Sequence, residues 1–191
     1  MNSSVAEGLD SCESNSNIQE CQGQVNFAAR VVGVYDAPVY LCGVGFGPKL
    51  EGNRYLAQLY AGVTPSSLAP IGDPLPFLTG ADAGYWNAEA RTVAVDANGV
   101  AFVQVRAWDT AFGSTYEAAT ASNGNEFGIS LILSLYPTVS PDLPATLIGL
   151  ESFTFVLPVG ANSSCVPEPS VMLLAVLGSI PFFLRRQSNR R

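Results

Sequence analysis

Short stretches in which apolar and polar residues alternate recur through most of the chain. Alternation of this kind places every second side chain on one face of an extended strand, so each stretch predicts a strand with one face against a core. Before the C-terminal tail, only residues 116–121 favour helix, for a single turn. The predicted strands are residues 24–34, 54–63, 90–96, 100–109, 127–136 and 146–157, with shorter extended pieces at 39–42 and 75–78.

Turn-forming residues separate these strands at intervals of roughly eight to twelve residues, which is typical of two packed antiparallel sheets. The pattern therefore predicts an all-β domain, an antiparallel β-sandwich, over residues 24–158. Asn98 and Gly99 lie between the strands 90–96 and 100–109. Because Asn-Gly is a strong hairpin signal, these two strands are predicted to pair. The prolines around residues 75–78 make that piece an edge strand.

The strand at 100–109 has two different faces. Val103, Val105 and Ala107 point one way, and Trp108 points the other. If the valine face is the core, Trp108 lies on the outer surface of its sheet. Together with Tyr85 and Trp86 it could then form a platform for a sugar ring, because aromatic faces stack well on flat ligands. Large aromatic residues of β-sandwiches more often pack in the core, and this is the interpretation that we favour for these three.

Near its C-terminus the chain has an uncharged apolar segment that begins at Val171 and ends at Leu184. As a helix it would be roughly 21 Å long, short of the hydrocarbon thickness of roughly 30 Å. It is apolar around its whole circumference, which leaves no face for solvent. The basic residues that follow are those expected on the cytoplasmic side of a membrane. The segment predicts a single span with the preceding domain outside the cytoplasm, the alternative being a core helix of a soluble domain. The basic residues are Arg185, Arg186, Arg190 and Arg191.

Pro167, Glu168 and Pro169, followed by this apolar segment and the arginines, resemble the PEP-CTERM sorting signal of Gram-negative bacteria. The resemblance covers residues 167–191, after a small-residue linker at 159–166. It implies recognition by exosortase, a membrane cysteine transpeptidase that cuts at or near the motif and releases or re-anchors the protein at the cell surface. Proteins with this signal are associated with exopolysaccharide and biofilm. The motif would then be a substrate of another enzyme.

The body shows a second resemblance. The sequences at 55–62, 84–87, 103–109 and 116–119 are similar to segments that recur in β-domains carried by PEP-CTERM proteins. That resemblance implies no activity and gives no residue a catalytic role.

Charge and composition narrow the classes of function. Of the nine basic and sixteen acidic residues, four basic and one acidic residue lie in residues 165–191, so residues 1–164 carry a net charge of about −10. This is the wrong sign for nucleic acid or for an anionic lipid surface. The chain has no histidine, which excludes Ser-His-Asp and Cys-His catalysis and histidine-ligated metals. We expect no enzyme activity and no cofactor.

Three acidic residues remain as candidates for catalysis. Asp109, Glu117 and Glu126 lie close in sequence and could supply the two carboxylates of a glycosidase. The competing interpretation, which we favour, is that they are ordinary acids of an acidic protein. Asp82, Asp96 and Asp109 could offer oxygen ligands to calcium. Because no D-x-D-x-D-G loop is present, no metal site is predicted.

The four cysteines are Cys12, Cys21, Cys42 and Cys165. Cys12 and Cys21 could close a small disulfide loop in an oxidising compartment, but four cysteines allow three connectivities. Residues 1–23 form a polar leader without the basic and apolar regions of a signal peptide. Since the tail requires export, we expect the natural start of the protein to lie upstream of Met1.

The sequence as a whole predicts an exported, surface-targeted, non-catalytic β-sandwich protein with a PEP-CTERM tail. Its expected partners are exosortase, the membrane and exopolysaccharide, and no nucleic acid. The alternative is a carbohydrate-binding module, and a remote third is a carboxylate glycosidase.

Overall fold

The computed structural model describes residues 21–42, 44, 47–122 and 126–155. These residues form a mostly β structure with almost no helix, which confirms the all-β prediction. The predicted single helical turn is also present, as α1. The elements are β1 Gln22–Phe27, β2 Arg30–Val31, β3 Tyr35–Asp36, β4 Gly52–Gly62, β5 Ala69–Phe77, β6 Glu89–Ala94, β7 Ala101–Asp109, α1 Tyr116–Ala121, β8 Phe127–Ile129, β9 Leu133–Leu135 and β10 Ala145–Thr146.

The strands are arranged in two larger sheets and one short hairpin. The smaller sheet has the order β10-β1-β6 and the larger has the order β5-β4-β7-β8, with β9 also paired to β7. β2 and β3 pair with each other. Pairing is antiparallel throughout these named strands except between β1 and β10, which are parallel.

Both larger sheets contribute to one hydrophobic core. Val25 and Phe27 enter it from β1, because alternate residues of that strand are buried. Leu59 of β4 and Val103 and Val105 of β7 enter it from the other sheet. Burying an aliphatic or phenylalanine side chain of this kind contributes about 1.5–3 kcal/mol, so this cluster is the main source of stability.

The predicted hairpin between residues 90–96 and 100–109 is wrong. The chain does reverse there, since the Gly99 N–H donates to the Asp96 carbonyl oxygen at 2.9 Å. However, β6 pairs with β1 and β7 pairs with β4, so the turn carries the chain from one sheet to the other. A local turn signal specifies a reversal but not a partner. Here the apolar faces of both strands reach the shared core by lying in opposite sheets.

Three predicted strands differ from the structure. Among the described residues of the strand predicted at 146–157, only Thr146 lies in a strand, as part of β10, and Thr154 makes an isolated bridge to Tyr40. The other two are interrupted. Residues 24–34 divide into β1 and β2, and residues 127–136 divide into β8 and β9. The second break occurs at Ser130, whose hydroxyl accepts the Val105 N–H at 2.9 Å in place of a backbone carbonyl. β5 is longer than predicted but is the edge strand that its prolines indicated.

The chain divides into two units, Met1–Pro158 and Val159–Arg191, and every described residue lies in the first. Within the described ranges, no helix has the length and apolar character that crossing a membrane requires. The predicted membrane segment lies outside the described residues.

Candidate functional site

Trp86 and Tyr85, two members of the predicted sugar platform, are both buried. The Trp86 ring packs between Phe27 and Phe77, with centroid distances of 4.8 and 5.7 Å. Its indole N–H donates to the Phe27 carbonyl oxygen at 3.2 Å. Trp86 is therefore a core residue with a satisfied polar group.

Tyr85 is held by charged neighbours. Its hydroxyl donates to Asp36 Oδ1 at 2.7 Å, and the Arg30 guanidinium and the Lys49 ammonium lie 4.3 and 5.1 Å from its ring centroid. Burial and the bond to Asp36 raise the pKa of the phenol to about 12. Tyr85 therefore remains a neutral donor at physiological pH and links three charged side chains.

Trp108 lies outside the main core cluster, whereas its β7 neighbours Val105 and Ala107 belong to it. It is nevertheless completely buried. The ring of Tyr116, on α1, makes an edge contact with it at 6.4 Å between centroids. Since Tyr85, Trp86 and Trp108 are all buried, they form no exposed platform. The sequence predicted the helical turn but could not show that it covers this tryptophan.

The residues between α1 and the larger sheet form a second, smaller packed group, which we call the α1 cluster. Arg106 is its centre. The guanidinium lies 4.0 Å from the Tyr60 ring centroid and 5.0 Å from that of Tyr116, and its Nε–H donates to Gln104 Oε1 at 3.0 Å. The Tyr60 hydroxyl donates to Glu117 Oε1 at 2.7 Å. The cluster consists of Tyr60, Gln104, Arg106, Trp108, Tyr116, Glu117 and Phe127.

The electrostatics of the α1 cluster favour a packing role. Burial and the hydrogen bond to Glu117 raise the pKa of Tyr60 well above its ordinary value. The phenol is thus a permanent donor that fixes Glu117, and Glu117 in turn lies 3.8 Å from Arg106. These contacts hold α1 against the sheet. The indole N–H of the buried Trp108 is the exception in the cluster, since it has no hydrogen-bond partner among the described residues.

The structure brings two of the three candidate catalytic acids together. Arg54 Nε donates to Asp109 Oδ2 at 2.6 Å, and Arg54 Nη2 lies 3.4 Å from Glu126 Oε2. Asp109 also accepts the Ala111 N–H at 2.9 Å, and its side chain is 0% exposed. We call this arrangement the Arg54 clasp. It joins β4, the end of β7 and the residue that precedes β8.

The two carboxyls of the clasp differ in pKa. Burial alone would raise the pKa of Asp109, but the hydrogen bonds from Arg54 and from the Ala111 N–H hold it below its usual range. Burial, together with the neighbouring Asp109, raises the pKa of Glu126. Such a pair resembles the divergent acids of a glycosidase. However, Asp109 is fully enclosed and its oxygens are already used, so the arrangement is suited to joining strands rather than to attacking a substrate.

The three aspartates considered for calcium each have another partner. Asp82 pairs with Arg30 at 2.9 Å, and Asp109 belongs to the Arg54 clasp. Asp96 Oδ1 accepts the N–H groups of Asn98 and Val100 at 2.9 and 2.8 Å, which lowers its pKa. In the described part of the chain, no group of three acidic or cysteine side chains is placed to hold a metal ion.

An open depression of about 410 Å³ lies against the β2–β3 hairpin and is lined by residues 30–36. Its three polar lining side chains are already engaged, since Arg30 pairs with Asp82, Asp36 accepts from Tyr85, and the Tyr35 hydroxyl donates to the Ala28 carbonyl oxygen at 2.9 Å. The hairpin tip carries Val32 and Val34, which are exposed. The depression offers contact area but no arrangement of reactive groups.

Every basic side chain of residues 21–155 lies over an aromatic ring, a feature that the sequence did not predict. Four of the five also pair with a carboxylate, the exception being Lys49. Because these basic groups are paired within the domain, the remaining acidic residues make the electrostatic potential at its surface negative. The pairs are Arg30 and Lys49 with Tyr85, Arg54 with Tyr55, Arg91 with Phe27, and Arg106 with Tyr60 and Tyr116.

Cys21 and Cys42 are both disulfide-bonded. Cys12, which the sequence suggested as the partner of Cys21, lies outside the described residues, as does Cys165. The sorting motif Pro167-Glu168-Pro169, the apolar segment and the terminal arginines also lie outside them. No family model, curated protein or solved structure matches this chain.

Proposed function

We propose that this protein is a non-catalytic β-sandwich delivered to the cell surface by its C-terminal tail. The observation that carries the proposal is the order of the tail: Pro167-Glu168-Pro169, an uncharged apolar segment, then four arginines. This order resembles the PEP-CTERM signal. The apolar segment would enter the membrane, and the arginines would hold its end on the cytoplasmic side, because cytoplasmic flanks carry excess basic residues.

The chemistry of the domain supports export. Both described cysteines are in disulfides, and disulfides persist in oxidising compartments outside the cytoplasm. The chain has no histidine. The two neighbouring carboxylates considered for catalysis, Asp109 and Glu126, both pair with Arg54. These observations favour a structural role in the extracellular matrix, with exopolysaccharide as the expected surrounding material.

The proposed partner of the tail is exosortase, acting on the motif as its substrate. The test is expression of the full chain in cells with and without exosortase, followed by immunoblotting of membrane and surface fractions. We expect a shorter or relocated product in the first strain alone. The variant Glu168→Ala should lose this processing, whereas Glu151→Ala, which removes an exposed acid of the β-domain, should keep it.

A full-length band in the membrane fraction of both strains would overturn the processing claim and leave a plain membrane anchor. A full-length band in the soluble fraction of both strains would overturn the anchor as well. The two results thus separate the two parts of the proposal.

A further inference from the structure

One lateral side of the domain is formed by a single continuous segment, residues 129–148. β8 and β9 lie at one end of the larger sheet and β10 lies at one end of the smaller sheet. Between them the chain crosses from one sheet to the other, where the Gln24 N–H donates to the Thr138 carbonyl oxygen at 2.6 Å. The opposite ends of the two sheets, β5 and β6, lie beside each other. The domain thus has two distinct sides.

The side formed by residues 129–148 is unusually apolar. Seven of the eleven large hydrophobic residues that are exposed in the described chain lie in these twenty positions, and Leu131 and Leu143 are 69% and 87% exposed. We call them the apolar edge. By contrast, β5 on the other side contains three prolines, and β6 carries Glu89 and Arg91. The apolar edge consists of Ile129, Leu131, Ile132, Tyr136, Val139, Leu143 and Ile148.

The apolar edge is held in place by the fold. Ser130 donates its N–H to the Val105 carbonyl oxygen and accepts the Val105 N–H, both at 2.9 Å. Its hydroxyl also donates to the Leu131 carbonyl oxygen at 2.8 Å. This double attachment to β7 turns Leu131 and Ile132 outward into solvent. Their exposure is therefore a fixed feature of the backbone.

The charge pattern identifies the partner that this edge fits. Asp142 is the single charged residue of residues 129–148, whereas residues 21–155 as a whole carry eleven acidic and five basic residues, a net charge of −6. Two copies of so acidic a domain repel each other wherever their acids meet, and like-charge contacts across an interface are costly. At the apolar edge they can meet with almost no such cost. An anionic membrane surface would instead be repelled by the whole domain.

We propose that the apolar edge is a self-association surface, through which two copies of this chain form a two-fold dimer. Four of the seven residues are at least two-thirds exposed, Leu131 at 69%, Tyr136 at 71%, Leu143 at 87% and Ile148 at 67%. Large side chains exposed to this extent can supply much of the roughly 800 Å² per partner that a standard interface buries. A two-fold interface uses the same patch on both copies, so a single neutral apolar patch is sufficient. The proposal does not depend on processing of the tail.

The test uses the purified full-length chain in a mild non-ionic detergent, with its mass measured by sedimentation equilibrium over a range of concentrations. We expect a reversible dimer. In the variant with Leu131→Glu and Ile132→Glu, dimerisation should weaken by about 100-fold or more, because unpaired charges would be buried. The matched control, Val32→Glu with Val34→Glu, adds the same charge at the exposed tip of the β2–β3 hairpin and should dimerise like the wild type.

Both variants should keep the wild-type near-ultraviolet circular dichroism, which shows that the domain is folded. As a second measurement, a photo-crosslinking amino acid at position 136 should give a crosslinked dimer, and the same group at position 32 should not. A monomeric wild type overturns the proposal. The proposal is also overturned if the Leu131→Glu, Ile132→Glu variant dimerises as strongly as the wild type, since that association would come from the tail. Vesicle binding lost in this variant, without any dimer, would assign the edge to lipid instead.

Discussion

At the scale of single residues, the domain is organised by arginines that cross between strands. Arg91 on β6 is nearly buried, and its Nη2 donates to the Asp73 carbonyl oxygen of β5 at 2.7 Å and to Glu89 Oε2 at 2.9 Å. It thereby links the two sheets on the β5 side. Arg54 does the same work within the larger sheet by joining Asp109 and Glu126.

Gly72 is the residue that gives Arg91 its space. Its φ of +61° lies in the left-handed region, and a Cβ added there would overlap the Arg91 guanidinium. We expect Gly72→Ala to lower the free energy of unfolding by about 2–4 kcal/mol, from backbone strain plus displacement of a buried charge. Urea denaturation measures this loss. Gly33→Ala, with a similar φ but open space around it, should cost only about 1 kcal/mol. Equal losses would show that Arg91 moves freely.

The Arg54 clasp predicts a pH dependence. The folded-state pKa of Asp109 is lowered, so its stabilising contribution is complete above the unfolded pKa and is lost as the pH falls through the folded pKa. At pH 7 we expect Asp109→Asn to cost about 2–3 kcal/mol, less than a fully buried pair because Arg54 is largely exposed. The difference from wild type, measured by urea denaturation, should shrink below about pH 4. Asp142→Asn, an exposed control, should show little effect, and a constant Asp109→Asn difference across this range would contradict the argument.

The pKa of Glu126 is shifted in the opposite direction to that of Asp109, so its contribution to stability depends on pH in the opposite way. Its raised pKa means that its favourable contribution is present at low pH and is lost as the pH rises through the folded pKa. Glu126→Gln removes this titration and the repulsion of Asp109 while keeping the shape of the side chain. We therefore expect a change within about 0.5 kcal/mol at pH 7. A loss comparable to that of Asp109→Asn would show that the ionised Glu126 is itself required by Arg54.

At the scale of elements, short attachments decide where strands begin, end and cross. The break between β8 and β9, the turn at Asn98-Gly99 and the placement of α1 all depend on side chains that replace or satisfy backbone groups. Asp96 binds the N–H groups of its own turn, and the Thr115 hydroxyl caps α1 by accepting the Ala118 N–H at 3.2 Å. Such contacts fix where a turn or a helix begins and ends.

Ser130 provides a test at this scale. Ser130→Ala leaves the buried Val105 N–H without its acceptor, which should cost about 1–3 kcal/mol. Ser134→Ala, on the exposed side of β9, should cost less than about 0.5 kcal/mol. Thermal unfolding of both variants measures the difference. If the two variants were equally stable, the backbone would have to hold the break between β8 and β9 without the hydroxyl.

At the scale of the whole domain, the described residues are acidic, and four of their five basic side chains pair with carboxylates of the same domain. The apolar edge lies on one side of this domain. The described cysteines add covalent links to this arrangement. Protein secreted to an oxidising compartment should contain no thiol at Cys21 or Cys42 that iodoacetamide can alkylate before reduction, as read by mass spectrometry. Reduction should lower the free energy of unfolding by about 2–4 kcal/mol. Alkylation of either cysteine in unreduced protein would contradict the assignment.

Much of the strand pattern could be read from the chain alone, because alternation records which side chains face a core. The extents of β4, β6 and β7 and the helical turn of α1 were predicted within about two residues. The sorting signal proposed for the C-terminal tail also depends only on the order of residues along the chain. It stays a prediction for experiment.

The partners of these elements could not be read in the same way. β6 and β7 lie on either side of a strong hairpin signal yet belong to different sheets, because a turn fixes direction and the core fixes pairing. Trp108 is on the face that the sequence indicated, but α1 covers it. Arg54, Asp109 and Glu126 meet across distant positions of the chain. Alternation reports which face of a strand is buried. It does not report what covers that face, because burial depends on contacts between residues far apart in sequence.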